Sequence, residues 1–120
     1  ELVEAQKNNF ETINGVHYLG LKVDLSHTDQ YKKAAQLLNQ TQTGEVMVLL
    51  VGSKEEKAFA ALSISDALVA SKKWEAPQLI KTHIAALIKG GGGGQKTLAA
   101  AGGQDGSQLD QVLSTIKSLL

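Results

Sequence analysis

The chain contains no cysteine and no arginine, and it has one proline, one methionine and one tryptophan. Without cysteine there is neither a disulfide framework nor a thiolate metal site, a composition that suits a cytoplasmic protein. Without arginine, every fixed cation is a lysine, a point charge that cannot clamp a phosphate through a planar two-pronged contact. Twelve lysines against twelve acidic residues leave a formal net charge of zero. That excludes the broad positive field of a bulk nucleic-acid binder. No apolar run approaches the roughly 20 residues that span a bilayer, and no secretory signal is visible, so no membrane partner is expected. A length of 120 residues suits one compact domain rather than two. The start at Glu1, without Met and in helical-looking sequence, suggests a piece of a longer protein.

The apolar pattern predicts an α/β domain. Residues 1–15 read as a short N-terminal helix with Leu2, Val3, Ala5, Phe10 and Ile13 on its apolar face and Gly15 as its stop, the end of a linker from a missing parent. VHYLGLKVDL alternates in β-formers and predicts a strand over 16–23. Ser26 or Thr28 then caps a helix with Tyr31, Ala34, Ala35 and Leu38 on one face. EVMVLLVG is a continuous apolar run, as in a strand covered on both sides. AFAALSIS returns antiparallel after a polar turn, and DALVASKKW reads as a loop. EAPQLIKTHIAALIKG is a helix with Pro77 in its first turn and an apolar stripe of Leu79, Ile80, Ile84, Leu87 and Ile88. KTLAAA is a short strand. A last helix, capped by Asp105 or Ser107, turns Leu109, Val112, Leu113, Ile116 and Leu119/Leu120 inward. The expected architecture is a mixed sheet of about four strands, ordered β-α-β-β-α-β-α after the N-terminal helix, with a βαβ unit at its start.

The candidate site is KGGGGGQKTLAAAGG, residues 89–103. As a bare glycine run it reads as a flexible linker. Its position between ordered-looking elements, where compact domains use short connections, argues instead for a structured loop. Small residues permit close backbone approach, and successive exposed N–H groups suit an anion such as phosphate. The run is not a P-loop, since no Lys-Ser/Thr follows, nor a dinucleotide fingerprint, since no strand feeds it. Five lysines (Lys72, Lys73, Lys81, Lys89 and Lys96) face one acid, Glu75, in this region. Trp74, beside Lys72 and Lys73, either stacks on an exposed base or anchors the hairpin to the following helix. Lys32 and Lys33 read as a solvated helix face. His17, His27 and His83 are scattered, without converging ligands. Ser63, Ser65 and Asp66 lie near a strand end with neither an elbow motif nor a paired base.

The glycine block, with the helix before it and DGSQLDQVLSTI after it, resembles the signature of the DHH-associated domain. It is most similar to the form at the C-terminus of alanyl-tRNA synthetase, a pattern close to GGRGGGRPDMAQGGG. Laid on this chain, the pattern's first two glycines fall on Lys89 and Gly90. Its next three fall on Gly92, Gly93 and Gly94, its methionine and alanine on Leu98 and Ala99, and its last two glycines on Gly102 and Gly103. Its arginine falls on Gly91 and its Arg-Pro on Gln95–Lys96, so arginine contacts are missing. The resemblance covers residues 16–120, with 90–103 as the glycine-rich loop. It implies a non-catalytic module that grips the outer corner of tRNA(Ala), where the D- and T-loops meet, and so supports alanylation and editing. Catalytic and editing domains of a parent alanine-tRNA ligase would be its other partners. ATP, magnesium and zinc would belong to that parent, with no cofactor in this part. The implied contacts are the glycine backbone (Gly90, Gly92, Gly93, Gly94, Gly102 and Gly103), charge from Lys89, Lys96, Lys81, Lys72 and Lys73, and stacking by Trp74. The alternative is the substrate-binding domain of a DHH-family phosphoesterase acting on oligonucleotides or cyclic dinucleotides. That version carries a His inside the glycine motif, and none occurs between Gly90 and Gly103. As a third reading, the N-terminal helix pairs with its counterpart in a homodimer.

Overall fold

The computed structural model describes residues 2–120, with side chains from residue 4 onward. Six strands form one sheet in the order β1-β2-β3-β4-β6-β5. Its centre is β3 (Val46–Lys54), the continuous apolar run, whose residues 46–51 are fully buried. β3 runs parallel to β2 (Val16–Lys22), and the connection between them contains α2 (Thr28–Gln40), completing the βαβ unit. β4 (Lys57–Ile64) returns antiparallel through a two-residue turn at Glu55 and Glu56, both at positive φ. Positive φ at both central residues matches the twist of the flanking strands, although side-chain-bearing residues reach it at some cost.

The sheet separates two cores, and the strand alternation assigns each residue to one of them. Val16, Tyr18, Met47, Leu49, Val51, Ala60, Leu62 and Ile64 face one side. They pack there with a helical run made of α4 (Ala76–Leu79), a π-helical turn (Ile80–Ile84) and α5 (Ala85–Ile88), and with α6 (Leu109–Lys117). Leu19, Val46, Val48, Leu50, Ala61 and Ala100 face the other side, against Tyr31, Ala35 and Leu38 of α2. Tyr31 also stacks on Phe59 with ring centroids 5.6 Å apart.

Several sequence expectations change, and the sheet has six strands where about four were expected. The N-terminal helix is only α1 (Leu2–Gln6), while Glu11–Ile13 is β1, paired antiparallel with β2 across Asn14–Gly15. Asn14 and Gly15 have φ of 49° and 88°, so this is a tight hairpin turn and not a helix stop. The helical pairing face proposed for Leu2 to Ile13 is correspondingly shortened, and the side chains of Leu2 and Val3 lie outside the described residues. DALVASKKW contains α3 (Asp66–Lys72), capped by the Ser65 hydroxyl, which accepts from the Leu68 N–H at 3.3 Å. α2 begins without a side-chain cap from Ser26 or Thr28. Gln30 instead reaches back and its amide oxygen accepts from the Ser26 N–H at 2.7 Å. α6 likewise starts at Gln108 without a side-chain cap, because Asp105 spends its carboxylate on the N–H and hydroxyl of Ser107. The last change concerns the glycine segment.

Candidate nucleic-acid interface

Residues 90–103 are a β-hairpin. β5 (Gly90–Gln95) pairs antiparallel with β6 (Leu98–Gly103) around a turn at Lys96 and Thr97, and β6 pairs with β4. β5 is therefore an edge strand made almost wholly of glycine, and every one of its residues is exposed. The expectation of a loop fails because a side-chain-free segment carries no alternating pattern to read, while its N–H and C=O groups pair as well as any others.

Its glycines divide by parity. A Cβ on Gly90, Gly92 or Gly94 would fall within 3.0 Å of the backbone of Gly102, Ala100 or Leu98, separations that real Cβ atoms do not show. Gly94 also has φ +155°. These three are required by the approach of the two strands. A Cβ on Gly91 or Gly93 would meet nothing within 4 Å. Gly91, where the related pattern carries its arginine, is thus paired by strand alternation with Gly93 as the open positions.

The register lines up three rows on the α2 side of the sheet: Phe59–Gly102–Gly91, Ala61–Ala100–Gly93 and Ser63–Leu98–Gln95. α2 packs over β3, β4 and β6, so the Gly91 and Gly93 end of these rows is a bare ledge beside the helix. On the opposite side β5 is backed by α4, the π-helical turn and α5. Gly102 belongs to the ledge and is exposed. Gly103 is a packing residue, buried under the Ile88 carbonyl at the end of α5.

The lysines sort to different places. The Lys96 carbonyl accepts from the Ala76 N–H at 2.7 Å, tying the β5–β6 turn to the start of α4. Trp74 lies two residues before that hydrogen bond and Lys72 and Lys73 just ahead of it, so Lys72, Lys73, Trp74 and Lys96 gather at one end of the hairpin. All three lysines there are exposed. Trp74 is half-buried and packs against the main core, which gives it an anchoring role with one part still open to solvent. Lys81 is exposed on the π-helical turn.

Lys89 stands at the other end of β5, roughly 23 Å from Lys96 at the usual strand rise. It is close enough to Asp105 to contribute to holding that carboxyl below its usual range, behind the larger effect of the Ser107 hydrogen bonds. Lys89 also ends α5 in the left-handed conformation, at φ 54°, where glycine is favoured. Lys89→Gly is therefore expected to raise stability by about 1 kcal/mol, read as a higher urea midpoint at unchanged slope.

The histidines remain apart: His17 Nδ1 lies 3.2 Å from the Thr12 hydroxyl. Among the described residues no group of three or more His, Asp or Glu side chains is placed to hold a metal, and no helix is long and apolar enough to cross a membrane.

Residues 15–120 match the DHHA1 domain family. The chain is 34% identical over 119 residues to an alanine–tRNA ligase of Cytophaga hutchinsonii, covering 99% of this chain and 13% of that protein. It is 41% identical over 103 residues to an alanine–tRNA ligase of Synechocystis, covering 83% and 12%. It thus spans about one-eighth of the length of these relatives. Among solved structures it superimposes on the C-Ala domain of Aquifex aeolicus alanyl-tRNA synthetase with TM-score 0.72 and 25% identity, covering 88% of this chain and 89% of that one. A DHH-domain protein described as a member of the s1p family of ribosomal proteins shares the fold, with TM-score 0.69 at 15% identity over 98% of this chain and 29% of its own.

Proposed function

Because the chain belongs to the DHHA1 domain family, we propose that it is the tRNA-gripping C-terminal domain of an alanyl-tRNA synthetase, working in the cytoplasm. In this reading it performs no chemistry. It holds the outer corner of tRNA(Ala) so that catalytic and editing domains elsewhere in the parent chain can reach the acceptor end. ATP, magnesium and zinc would serve those other domains. The relatives that cover most of this chain are alanine–tRNA ligases, which favours this reading over the phosphoesterase.

The observation that carries it is the hairpin end where the hydrogen bond from Ala76 to Lys96 brings Lys72, Lys73 and Trp74 toward Lys96, at one end of an edge strand made almost wholly of glycine. RNA corners are recognised by backbone contact, shape and stacking on unpaired bases. A flat backbone ledge lets a ribose–phosphate chain approach closely, and the lysines supply the charge it needs. With zero net charge and no arginine the isolated domain binds weakly, and tethering to the parent raises its effective concentration at the tRNA.

The test is a salt-dependent titration with intact tRNA(Ala), using a short oligonucleotide and a cyclic dinucleotide as competitors. Binding to folded tRNA that neither small ligand displaces is the expected result. Preferential capture of the small ligands would transfer the assignment to the phosphoesterase class.

A further inference from the structure

Ser63 is the buried polar residue among the described residues, with 4% of its surface exposed. Its hydroxyl has no hydrogen-bond partner among them, while the Asn39 amide is taken up by the Ser63 and Val46 carbonyls. No buried side-chain nitrogen or oxygen among the described residues is left without a partner, so the Ser63 hydroxyl, unpaired within the chain, opens on the space it faces. It lines a cavity of about 260 Å³ between the C-terminal half of α2 and the Lys96–Thr97 end of the hairpin. Gln36 and Gln40 of α2, Asp66 and Thr97 supply further polar groups, none of them bonded to another side chain among the described residues. Leu98, next to Ser63 in the same cross-strand row, supplies an apolar surface.

We propose that this cavity receives one unpaired nucleobase bearing an amino group. The inference rests on the tRNA-binding reading and names the part of the RNA that the hairpin end would read. A planar ring packs on Leu98, and its polar edge meets amides and hydroxyls that can each donate or accept. Asp66 alone is acceptor-only, so the favoured edge presents an amino donor toward it, as cytosine, adenine and guanine do. Uracil turns a carbonyl oxygen to the same place and is repelled by the carboxylate. A phosphate is disfavoured for the same reason, because no lysine lines the cavity. Lys96 precedes the lining residue Thr97 in the chain, where the backbone of the inserted nucleotide would run. The size agrees: the cavity falls just below the roughly 300–1,000 Å³ of sites that enclose drug-sized ligands.

The experiment is an NMR titration of the 120-residue chain with cytidine and uridine, which differ at the edge in question, followed by the tRNA(Ala) titration. Cytidine is expected to shift the side-chain amide signals of Gln36 and Gln40 and the backbone signals of Ser63 and Thr97, while uridine leaves them in place. Ser63→Ala should weaken cytidine about fivefold, the worth of one hydrogen bond. Asp66→Asn, at an exposed position where folding is not at risk, should bring cytidine and uridine to equal affinity. If tRNA binds but neither nucleoside moves these signals, or both move them equally, the cavity assignment is overturned and the tRNA reading stands. If cytidine occupies the cavity but tRNA does not bind, the tRNA reading fails and the cavity remains a nucleobase site.

Discussion

Gly103→Ala is expected to lower the unfolding free energy by about 3 kcal/mol, at the upper end of what an added methyl costs in a filled site. The new Cβ would fall on the carbonyl oxygen and Cγ1 of Ile88. That carbonyl cannot retreat cheaply, because it accepts the Asp105 N–H at 2.9 Å and ends a helical run whose Leu79, Ile80, Ile84 and Ile88 are buried. Gly103 is itself held between Ala58 of β4 and Gly90 of β5. Relief therefore means lifting the end of α5 or unpairing the hairpin, and either exposes core. Gly102→Ala is the matched control: its Cβ would meet only the Ala58 carbonyl, at 3.8 Å, and the change should stay within about 0.5 kcal/mol. Urea denaturation of the two variants measures the difference. Equal stabilities would show that the end of α5 does not bear on β6.

The second large effect concerns charge. Replacing Lys72, Lys73 and Lys96 together by alanine should weaken tRNA(Ala) roughly 30-fold, taking about 0.7 kcal/mol for each exposed ionic contact. The slope of log affinity against log salt should flatten by about two to three, because each lost phosphate contact releases one counterion fewer. Lys89→Ala should change the slope by much less, since Lys89 stands at the far end of β5 from Lys96. Titrations at several salt concentrations separate the two ends of the hairpin. A larger slope change from Lys89 than from the triple variant would place the RNA at the other end of β5.

What the sequence made legible follows from burial. The two-sided run 46–51, the alternation of Phe59, Ala61 and Ser63 against Ala60, Leu62 and Ile64, and the apolar stripe through Ile80, Ile84 and Ile88 each leave a periodic trace, and each is found in place. β5 leaves none, since glycine has no side chain to alternate, and its strand character comes only from the ladder with β6. The π-helical turn is equally silent, because an apolar stripe reads the same through a widened turn. β1 was readable: Asn-Gly between β-forming residues is a strong hairpin signal, outweighed by the helical spacing before it. For the site, the lysines and Trp74 stand out in the sequence, but their gathering depends on the hydrogen bond from Ala76 to Lys96, twenty residues apart. Ser63 reads as an ordinary strand residue until α2 is placed over it.

The open space around Gly91 has an evolutionary consequence. The Cβ of an arginine there would meet nothing within 4 Å, and the substitution would put a guanidinium on the ledge side of the sheet, at the position where the related pattern carries one. The adjoining positions Gly90 and Gly92 allow no such freedom. Under the proposed function, affinity at this surface would be tuned through one residue while the strand that carries it stays fixed, and a lineage could gain or lose grip without rebuilding its fold.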